Sequence, residues 1–196
     1  YCVDISKDII NKLNSGKSPI YEPGLNELIK KNHKSKRLFF TSNISEALMK
    51  SDIIFICVGT PSKKNSSSVD LSYVFKAVKK ILKYSKKKKI IVIKSTVPVG
   101  TGDQIEKILK DKKKFIVISN PEFLREGEAI RDFRYPDRII VGSNEKSSVA
   151  VMKRLYLPII NKGATYFTIN RRGAELVKYA SNAFLATKIT FINELA

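Results

Sequence analysis

Short apolar runs alternate with amphipathic helical segments along the whole chain, and this alternation constrains the fold more than any other feature. Residues 53–58 form a continuous apolar run between turn residues, which is typical of a strand buried on both faces. Ser6, Asn43 and Asp70 each stand where a side chain can cap a helix whose apolar residues recur with helical spacing. Alternating strands and helices form βαβ units with parallel strands. The sequence therefore predicts a doubly wound α/β fold around a parallel sheet.

The predicted elements divide the chain into two parts. Residues 1–169 contain all the predicted strands, and residues 170–196 open a long helical pattern without a stop signal. Because Tyr1 stands at the end of a predicted strand, we expect the chain to be a piece whose first strand and turn are missing. The strands are predicted at residues 1–5, 38–41, 53–58, 89–94, 115–119, 138–141 and 165–168.

The positive charge is high but spread over the chain. Of the residues, 37 are Lys or Arg and 18 are Asp or Glu, which gives a net charge of +19. Lysines occur on most predicted helices and turns, whereas a nucleic-acid-binding module usually gathers charge on one element together with stacking aromatic residues. We therefore expect a lysine-rich surface, and neither a nucleic acid nor a membrane as partner. A basic nucleotide- or RNA-binding module stays open as the alternative from another functional class.

Cysteine and histidine are too scarce for several kinds of site. Cys2 and Cys57 cannot form a disulfide framework, and together with His33 they show no zinc-ligand spacing, so no metal is expected. No apolar run approaches the ~20 residues of a membrane-spanning helix. The sequence shows no signal-peptide pattern. These observations favour a cytoplasmic protein, with Cys57 in its buried core.

Several loops that follow predicted strands carry groups able to contact a ligand, since ligands of such sheets bind beyond the carboxyl ends of the strands. Asp4 ends the first strand and is either a turn residue or an acceptor for ribose hydroxyls. Thr60 follows Gly59 after a predicted buried strand. Thr96 lies at a helix start, where a hydroxyl and N–H groups suit a phosphate, a nicotinamide amide or a bound water.

Two further groups of polar residues lie towards the end of the chain. Glu122 and Glu126 stand four residues apart in the loop after the fifth predicted strand, and they form either an acid–base pair or a salt-bridged surface loop. Glu175, Lys178 and Asn182 fall on one face of the last helix. Apolar neighbours surround Lys178, which is either a catalytic group or a lysine whose amine extends to the solvent.

Five segments match motifs of one enzyme family. They are SPIYEPGL (18–25), KSTVPVG (94–100), NPEFLREG (120–127), PDR (136–138) and AELVKYASNAFLA (174–186). They occur in the family's order and extend over nearly the whole chain, so the combination is far more specific than any single match. Together they resemble the UDP-glucose 6-dehydrogenases, within the UDP-glucose/GDP-mannose dehydrogenase family.

The resemblance implies a Rossmann-like domain followed by the start of a long central helix. It implies two successive NAD-dependent oxidations of UDP-glucose to UDP-glucuronate, and a homodimer formed through the long helix. In the family a cysteine captures the aldehyde, the adduct is oxidised to a thioester, and the thioester is hydrolysed. Carried over by motif, cofactor contacts fall on Asp4, Thr60, Thr96 and Glu126, catalytic roles on Thr96, Glu122, Lys178 and Asn182, and substrate contacts on Glu122, Phe123, Leu124, Arg125, Glu126, Lys178 and Asn182.

The resemblance also assigns individual roles and marks departures. It implies that Glu122 acts in the hydrolysis with a water held near Thr96, and that Lys178 stabilises negative charge developing on oxygen. The family's glycine-rich turn and nucleophilic cysteine have no counterpart in these residues, so we expect the 196 residues alone to oxidise no UDP-glucose. Ile9 stands where many members carry Arg or Lys near the adenosine ribose. A dehydrogenase of another nucleotide sugar, such as GDP-mannose, stays open as the close alternative.

Overall fold

Strands and helices alternate throughout the computed structural model, which describes residues 1–64, 66, 68–110 and 114–196. The strands are β1 (Cys2–Val3), β2 (Phe40–Thr41), β3 (Ile53–Ile56), β4 (Lys89–Ile93), β5 (Phe115–Ser119), β6 (Arg138–Gly142) and β7 (Thr165–Ile169). The helices are α1 (Lys7–Asn14), α2 (Leu25–Lys34), α3 (Ile44–Met49), α4 (Ser72–Tyr84), α5 (Thr101–Leu109), α6 (Ala129–Arg134), α7 (Lys146–Ile160) and α8 (Arg171–Leu195).

The described strands form two sheets. β1 and β2 pair in parallel in a small sheet, and a larger sheet has the order β3-β4-β5-β6-β7. Pairing is parallel from β3 to β5 and again between β6 and β7, which confirms the predicted α/β fold. β5 and β6 are antiparallel and meet at one residue pair, Ser119 and Gly142. This pair departs from the all-parallel prediction. The connection, residues 120–137, is mostly loop, and its one helix, the six-residue α6, rises only about 9 Å and is no crossover helix of the usual kind.

Both faces of the larger sheet carry an apolar core, because successive side chains of a strand point to opposite faces. Ile91 and Ile93 of β4 belong to one cluster, and Val92 between them belongs to the other. Helices therefore cover both faces, which is the predicted doubly wound arrangement. The first cluster includes Val74, Val78 and Ile81 of α4 with Ile105 and Leu109 of α5, and the second includes Met152 and Tyr156 of α7.

Side-chain caps begin two of the helices as predicted. Ser6 accepts a hydrogen bond at the start of α1, and Asn43 does the same at the start of α3. The expected cap at Asp70 is wrong, because α4 begins at Ser72 and its cap position is Leu71. The Asp70 carboxylate instead accepts a hydrogen bond from the Ser72 N–H at 2.8 Å, just before the helix begins.

β3 is less buried than its apolar sequence predicts. Phe55 is 37% exposed, and Cys57 is exposed rather than part of the core. Among the described residues, β3 has a hydrogen-bonded neighbour on one side only, namely β4. A strand is buried on both sides only when neighbours flank it, and the sequence of the strand alone does not report them. β2 is also shorter than predicted and covers only Phe40–Thr41.

α8 is capped by Asn170, whose Oδ1 accepts a hydrogen bond from the Gly173 N–H at 2.7 Å. Its first turns pack against β5 and β6, where Ala174, Glu175 and Lys178 are buried, and the remainder is largely exposed. The packing is close, because a Cβ built on Gly142 would lie 2.5 Å from the Ala174 Cβ. Among the described residues, no helix has the length and apolar character that crossing a membrane requires.

Candidate functional site

The polar residues predicted from the sequence lie just beyond the ends of successive strands. Asp4 directly follows β1, Thr60 lies after β3, Thr96 follows β4, and Glu122 lies in the loop after β5. Because β3, β4 and β5 are parallel, their three following turns lie at the same edge of the larger sheet. The first turns of α8 pack against β5 and so bring Lys178 to this edge.

Lys178 and Glu122 form an ion pair with 3.1 Å between Nζ and Oε1. Lys178 is only 7% exposed, so its amine does not extend to the solvent. The other carboxylate oxygen of Glu122 accepts a hydrogen bond from the Leu124 N–H at 2.7 Å. The pair therefore presents a shielded positive charge beside a carboxylate, an arrangement that can stabilise negative charge developing on an oxygen.

The loop that carries Glu122 is held by contacts on several sides. The Phe123 ring contacts two cations, the Arg138 guanidinium at 4.5 Å and the Lys178 ammonium at 5.2 Å from its centroid. Arg125 pairs with Asp132 at 2.8 Å, although its side chain remains largely exposed. These contacts fix a loop that lacks regular secondary structure.

The turns after β3 and β4 are joined to each other. The Thr60 hydroxyl donates to the Thr96 carbonyl at 2.9 Å, and the Ser95 hydroxyl donates to the Val58 carbonyl at 2.6 Å. A small cavity of about 10 Å³ lies beside these turns, close to the space that one water needs. Its polar lining comes from Ser95, Thr96, Ser119, Glu175 and Lys178.

The start of α5 is not open to a phosphate, which was one of the three ligands that the sequence suggested for this helix start. The Glu175 carboxylate accepts hydrogen bonds from the Gly100 N–H at 2.6 Å and the Gly102 N–H at 2.8 Å. These are the donors that an anion at this helix start would use. A carboxylate from α8 therefore already occupies them.

Arg171 anchors the start of α8, and sequence reasoning missed it. It is 2% exposed and pairs with Asp103 at 2.5 Å and Glu106 at 3.0 Å on α5. A Cβ built on Gly102 would lie 2.5 Å from the Arg171 Cδ, so this approach requires a glycine. The hydrogen bonds from Arg171 and Arg172 lower the pKa of Asp103. No local sequence signal links these residues, because 65 or more positions separate Arg171 from its partners.

A second polar cluster lies beneath the Glu122 loop. Asn120 is buried, and its Oδ1 accepts hydrogen bonds from the Tyr156 hydroxyl at 2.6 Å and the Lys94 ammonium at 3.4 Å. Burial lowers the pKa of Lys94 to about 8. A cavity of about 430 Å³ adjoins this cluster, large enough for part of a ligand. Its charged lining is mixed: Lys94, Arg125, Arg131 and Arg138 with Glu122, Asp132 and Asp137.

The remaining predicted site residues differ in exposure and in the contacts that hold them. Asp4 is half-buried, and its Oδ1 accepts a hydrogen bond from the nearby Ser6 N–H at 2.8 Å. Glu126 and Asn182 are exposed, and Leu124 is partly so. Within the part of the chain that the structure describes, no three His, Cys, Asp or Glu residues are grouped to hold a metal ion.

Two profiles of one family match the chain. Residues 1–160 match the UDP-glucose/GDP-mannose dehydrogenase family, NAD binding domain, and residues 172–196 match the central domain of that family. The UDP-glucose 6-dehydrogenase of Rhizobium meliloti is 48% identical over 201 residues, which cover 100% of this chain and 46% of the relative. That of Rickettsia prowazekii is 50% identical over 196 residues, covering 100% of this chain and 45% of the relative. The chain thus spans about half the length of these relatives.

Solved structures of the same family superpose closely. A UDP-glucose dehydrogenase from Pyrobaculum islandicum matches with a TM-score of 0.91 and 39% identity, over 98% of this chain and 45% of that one. A GDP-mannose dehydrogenase from Pseudomonas aeruginosa matches with a TM-score of 0.90 and 36% identity, with the same coverage of both chains.

Proposed function

The chain belongs to the UDP-glucose/GDP-mannose dehydrogenase family, and we propose that it forms the NAD-binding part of an enzyme that oxidises UDP-glucose to UDP-glucuronate. The observation that carries this proposal is the shielded ammonium of Lys178, 3.1 Å from Glu122 at the carboxyl end of β5. UDP-glucose 6-dehydrogenases that match the whole chain at 48% and 50% identity support UDP-glucose as the substrate.

The strand ends suit a dinucleotide. Asp4 follows a parallel strand, where a carboxylate can accept hydrogen bonds from the adenosine ribose. Thr60 and Thr96, joined by their hydrogen bond, follow the strands that come between β1 and β5 along the chain, and Glu126 in the loop after β5 completes the proposed contacts. NAD, when bound, accepts a hydride from the substrate carbon. In this proposal Asp4 holds the adenosine end and Thr96 lies near the nicotinamide end.

The remaining site residues act on the substrate. Lys178 donates a hydrogen bond to the C6 oxygen while negative charge grows there, and Asn182 binds beside it on α8. Glu122 accepts a proton from a water positioned near Thr96 as that water attacks the thioester carbonyl. Phe123, Leu124 and Arg125 hold the sugar nucleotide along the loop, which their own contacts keep in place. The cysteine that carries the thioester would come from the half of the enzyme outside this chain.

We also propose the division into residues 1–169 and residues 170–196. Asn170 caps α8, and the helix exposes apolar side chains from Leu176 onwards, as an interaction surface does. A second copy of the enzyme covering this face would give the homodimer. A cytoplasmic location belongs to the same proposal. The exposed apolar side chains are Leu176, Phe184, Leu185, Ile189, Phe191, Ile192 and Leu195.

The test uses a chimaera, defined as the Rickettsia prowazekii enzyme with its aligned 196 residues replaced by this chain. We expect the chimaera to release two NADH for each UDP-glucose consumed. The chain alone should release none, because the nucleophilic cysteine lies elsewhere. A folded chimaera that oxidises no UDP-glucose would contradict the proposal, and so would NADH release in proportion to the concentration of the chain alone.

A matched control addresses the choice of nucleotide sugar. The same replacement is made in the Pseudomonas aeruginosa GDP-mannose dehydrogenase, which is 36% identical over this region. We expect this second chimaera to oxidise GDP-mannose much less efficiently, relative to its parent, than the first oxidises UDP-glucose. The opposite ranking would assign the chain to GDP-mannose oxidation.

A further inference from the structure

Glu175 joins three parts of the molecule through one carboxylate. It lies on α8 and is 3% exposed. Its Oε2 accepts a hydrogen bond from the Gly100 N–H at 2.6 Å, and its Oε1 accepts one from the Gly102 N–H at 2.8 Å. Oε1 also accepts a hydrogen bond from the Ser119 hydroxyl at 3.2 Å, at the end of β5. The carboxylate thus connects α8, the start of α5 and the end of β5.

This contact supplies the cap that α5 cannot form locally. The residue at the cap position is Gly100, with φ of 91°, and it has no side chain to accept from the first N–H groups of the helix. A carboxylate at a helix N-terminus satisfies those donors and interacts favourably with the helix dipole. Glu175 does this from 75 positions away along the chain.

The capped turn and Glu175 lie next to the proposed reacting groups. Residues 95–100 carry Thr96, and Lys178 follows Glu175 by three positions on α8, which places the two on the same face. Thr96, Glu175 and Lys178 all line the cavity of about 10 Å³. A change at Glu175 would therefore shift the Thr96 turn relative to the Lys178 ammonium.

We propose that Glu175 is a positioning residue, which fixes the Thr96 turn against the part of α8 that carries Lys178. The inference rests on the proposed function, because it concerns the distance between two groups of that site. Glu175 does not itself act on the substrate, because it is 3% exposed and accepts three hydrogen bonds from donors of the protein, whereas the Glu122 side chain is 30% exposed. Only a side chain with two acceptors at this reach can satisfy both N–H groups.

The activity test compares Glu175→Gln with Asp103→Asn in the chimaera. Both substitutions weaken contacts between α5 and α8, but Asp103 bonds Arg171 and Arg172 and leaves the Thr96 turn capped. We expect Glu175→Gln to lower kcat roughly tenfold to a hundredfold, since small misplacements of reacting groups have effects of this size. The KM for UDP-glucose should change less than about twofold, and Asp103→Asn should keep kcat while lowering the melting temperature.

The second readout needs no activity and uses the 196-residue chain. In Glu175→Gln, one carboxylate oxygen becomes an NH₂ group that cannot accept from an N–H. Amide hydrogen exchange should therefore accelerate at least about tenfold at whichever of Gly100 and Gly102 faces the new NH₂ group, while exchange in β4 stays unchanged. Glu27→Gln, at an exposed position on α2, serves as the control and should change neither amide.

The two readouts separate failure of the inference from failure of the proposed function. Faster exchange at either glycine with an unchanged kcat would overturn the positioning role, although it would agree with the capping contact. Equal losses of kcat in Glu175→Gln and Asp103→Asn, at equal losses of melting temperature, would reduce Glu175 to a structural contact and also overturn it. Unchanged exchange at both glycines would overturn the cap itself. If the unsubstituted chimaera were inactive, the proposed function would fail while the exchange data still tested the cap.

Discussion

The two ends of the proposed cleft are built differently. At the Lys178 end, contacts between distant parts of the chain join a buried lysine and a buried glutamate of α8 to the Glu122 loop, the start of α5 and the end of β5. At the Asp4 end, the carboxylate accepts a hydrogen bond from the Ser6 N–H two positions along, and the Asp4 backbone N–H donates to the Thr41 carbonyl at 3.4 Å. The acting side chains of the Lys178 end are held by distant parts of the chain, whereas the Asp4 carboxylate is held by a neighbour in sequence.

The difference teaches which functions each end can perform. Catalytic groups must be held to a fraction of an ångström, which requires surroundings that do not yield. A ribose contact tolerates more movement, because it contributes binding energy and takes no part in the chemical step. The Asp4 contact therefore suits binding, and the Lys178 end, whose acting side chains are held by contacts across the chain, suits chemistry. Each prediction below breaks or sharpens this comparison.

Removal of the Lys178 side chain should have the largest effect. In the chimaera, Lys178→Ala is expected to lower kcat by about 10²–10³, because a charge aimed at a developing oxyanion acts mainly in the transition state. The KM for UDP-glucose should change far less. Steady-state kinetics measure both constants. A rise in KM alone would make Lys178 a binding residue and remove the distinction between the two ends.

The packing that supports the Lys178 end can be tested on the 196-residue chain. Arg171→Ala removes a buried guanidinium from Asp103 and Glu106, and should lower the free energy of unfolding by about 2–3 kcal/mol. Arg172→Ala is the matched control, because Arg172 bonds the same Asp103 from an exposed position and should contribute less than about 1 kcal/mol. Urea unfolding measures both. Similar losses of unfolding free energy in the two variants would show that the buried Arg171 stabilises the chain no more than the exposed Arg172 does.

At the other end, Asp4→Ala in the chimaera should raise the KM for NAD about tenfold and leave kcat nearly unchanged, since a charge-assisted hydrogen bond is lost from binding alone. Asp8→Ala, an exposed substitution on α1, is the control for a change of surface charge. A large fall in kcat with Asp4→Ala would mean that the Asp4 end also positions the reacting groups.

Some of this organisation could be predicted from the sequence. The apolar runs of β4 and β5 predict buried parallel strands. The prediction is correct, because both strands have neighbours on either side and are covered on both faces. The apolar run at β3 also predicts a buried strand, but β3 is partly exposed, because its burial depends on neighbouring strands that its own sequence does not reveal. The helical spacing of Glu175 and Lys178 shows that they share a face. It does not show that Glu175 caps α5, because that contact exists only after residues far apart in sequence pack together.

The smallest expected effect concerns Lys94, beneath the Glu122 loop. Burial lowers its pKa to about 8 in the folded state, so between about pH 8 and its ordinary pKa the unfolded chain binds more protons. The free energy of unfolding should therefore rise with pH over that range. Lys94→Met should remove this rise and stabilise the chain by about 1 kcal/mol at pH 7, a value reduced for partial exposure. Thermal unfolding from pH 7 to 10 measures it, and a parallel pH dependence in both proteins would contradict it.

The most direct test of the central claim is a crystal structure of the chimaera with NAD and UDP-glucose bound. The account predicts the adenosine ribose hydroxyls at hydrogen-bond distance from Asp4, with the sugar C6 oxygen at that distance from the Lys178 Nζ and the nicotinamide beside Thr96. The two ends described above would then be the two ends of one cleft. A sugar bound away from Lys178, or a dinucleotide that does not contact Asp4, would contradict it.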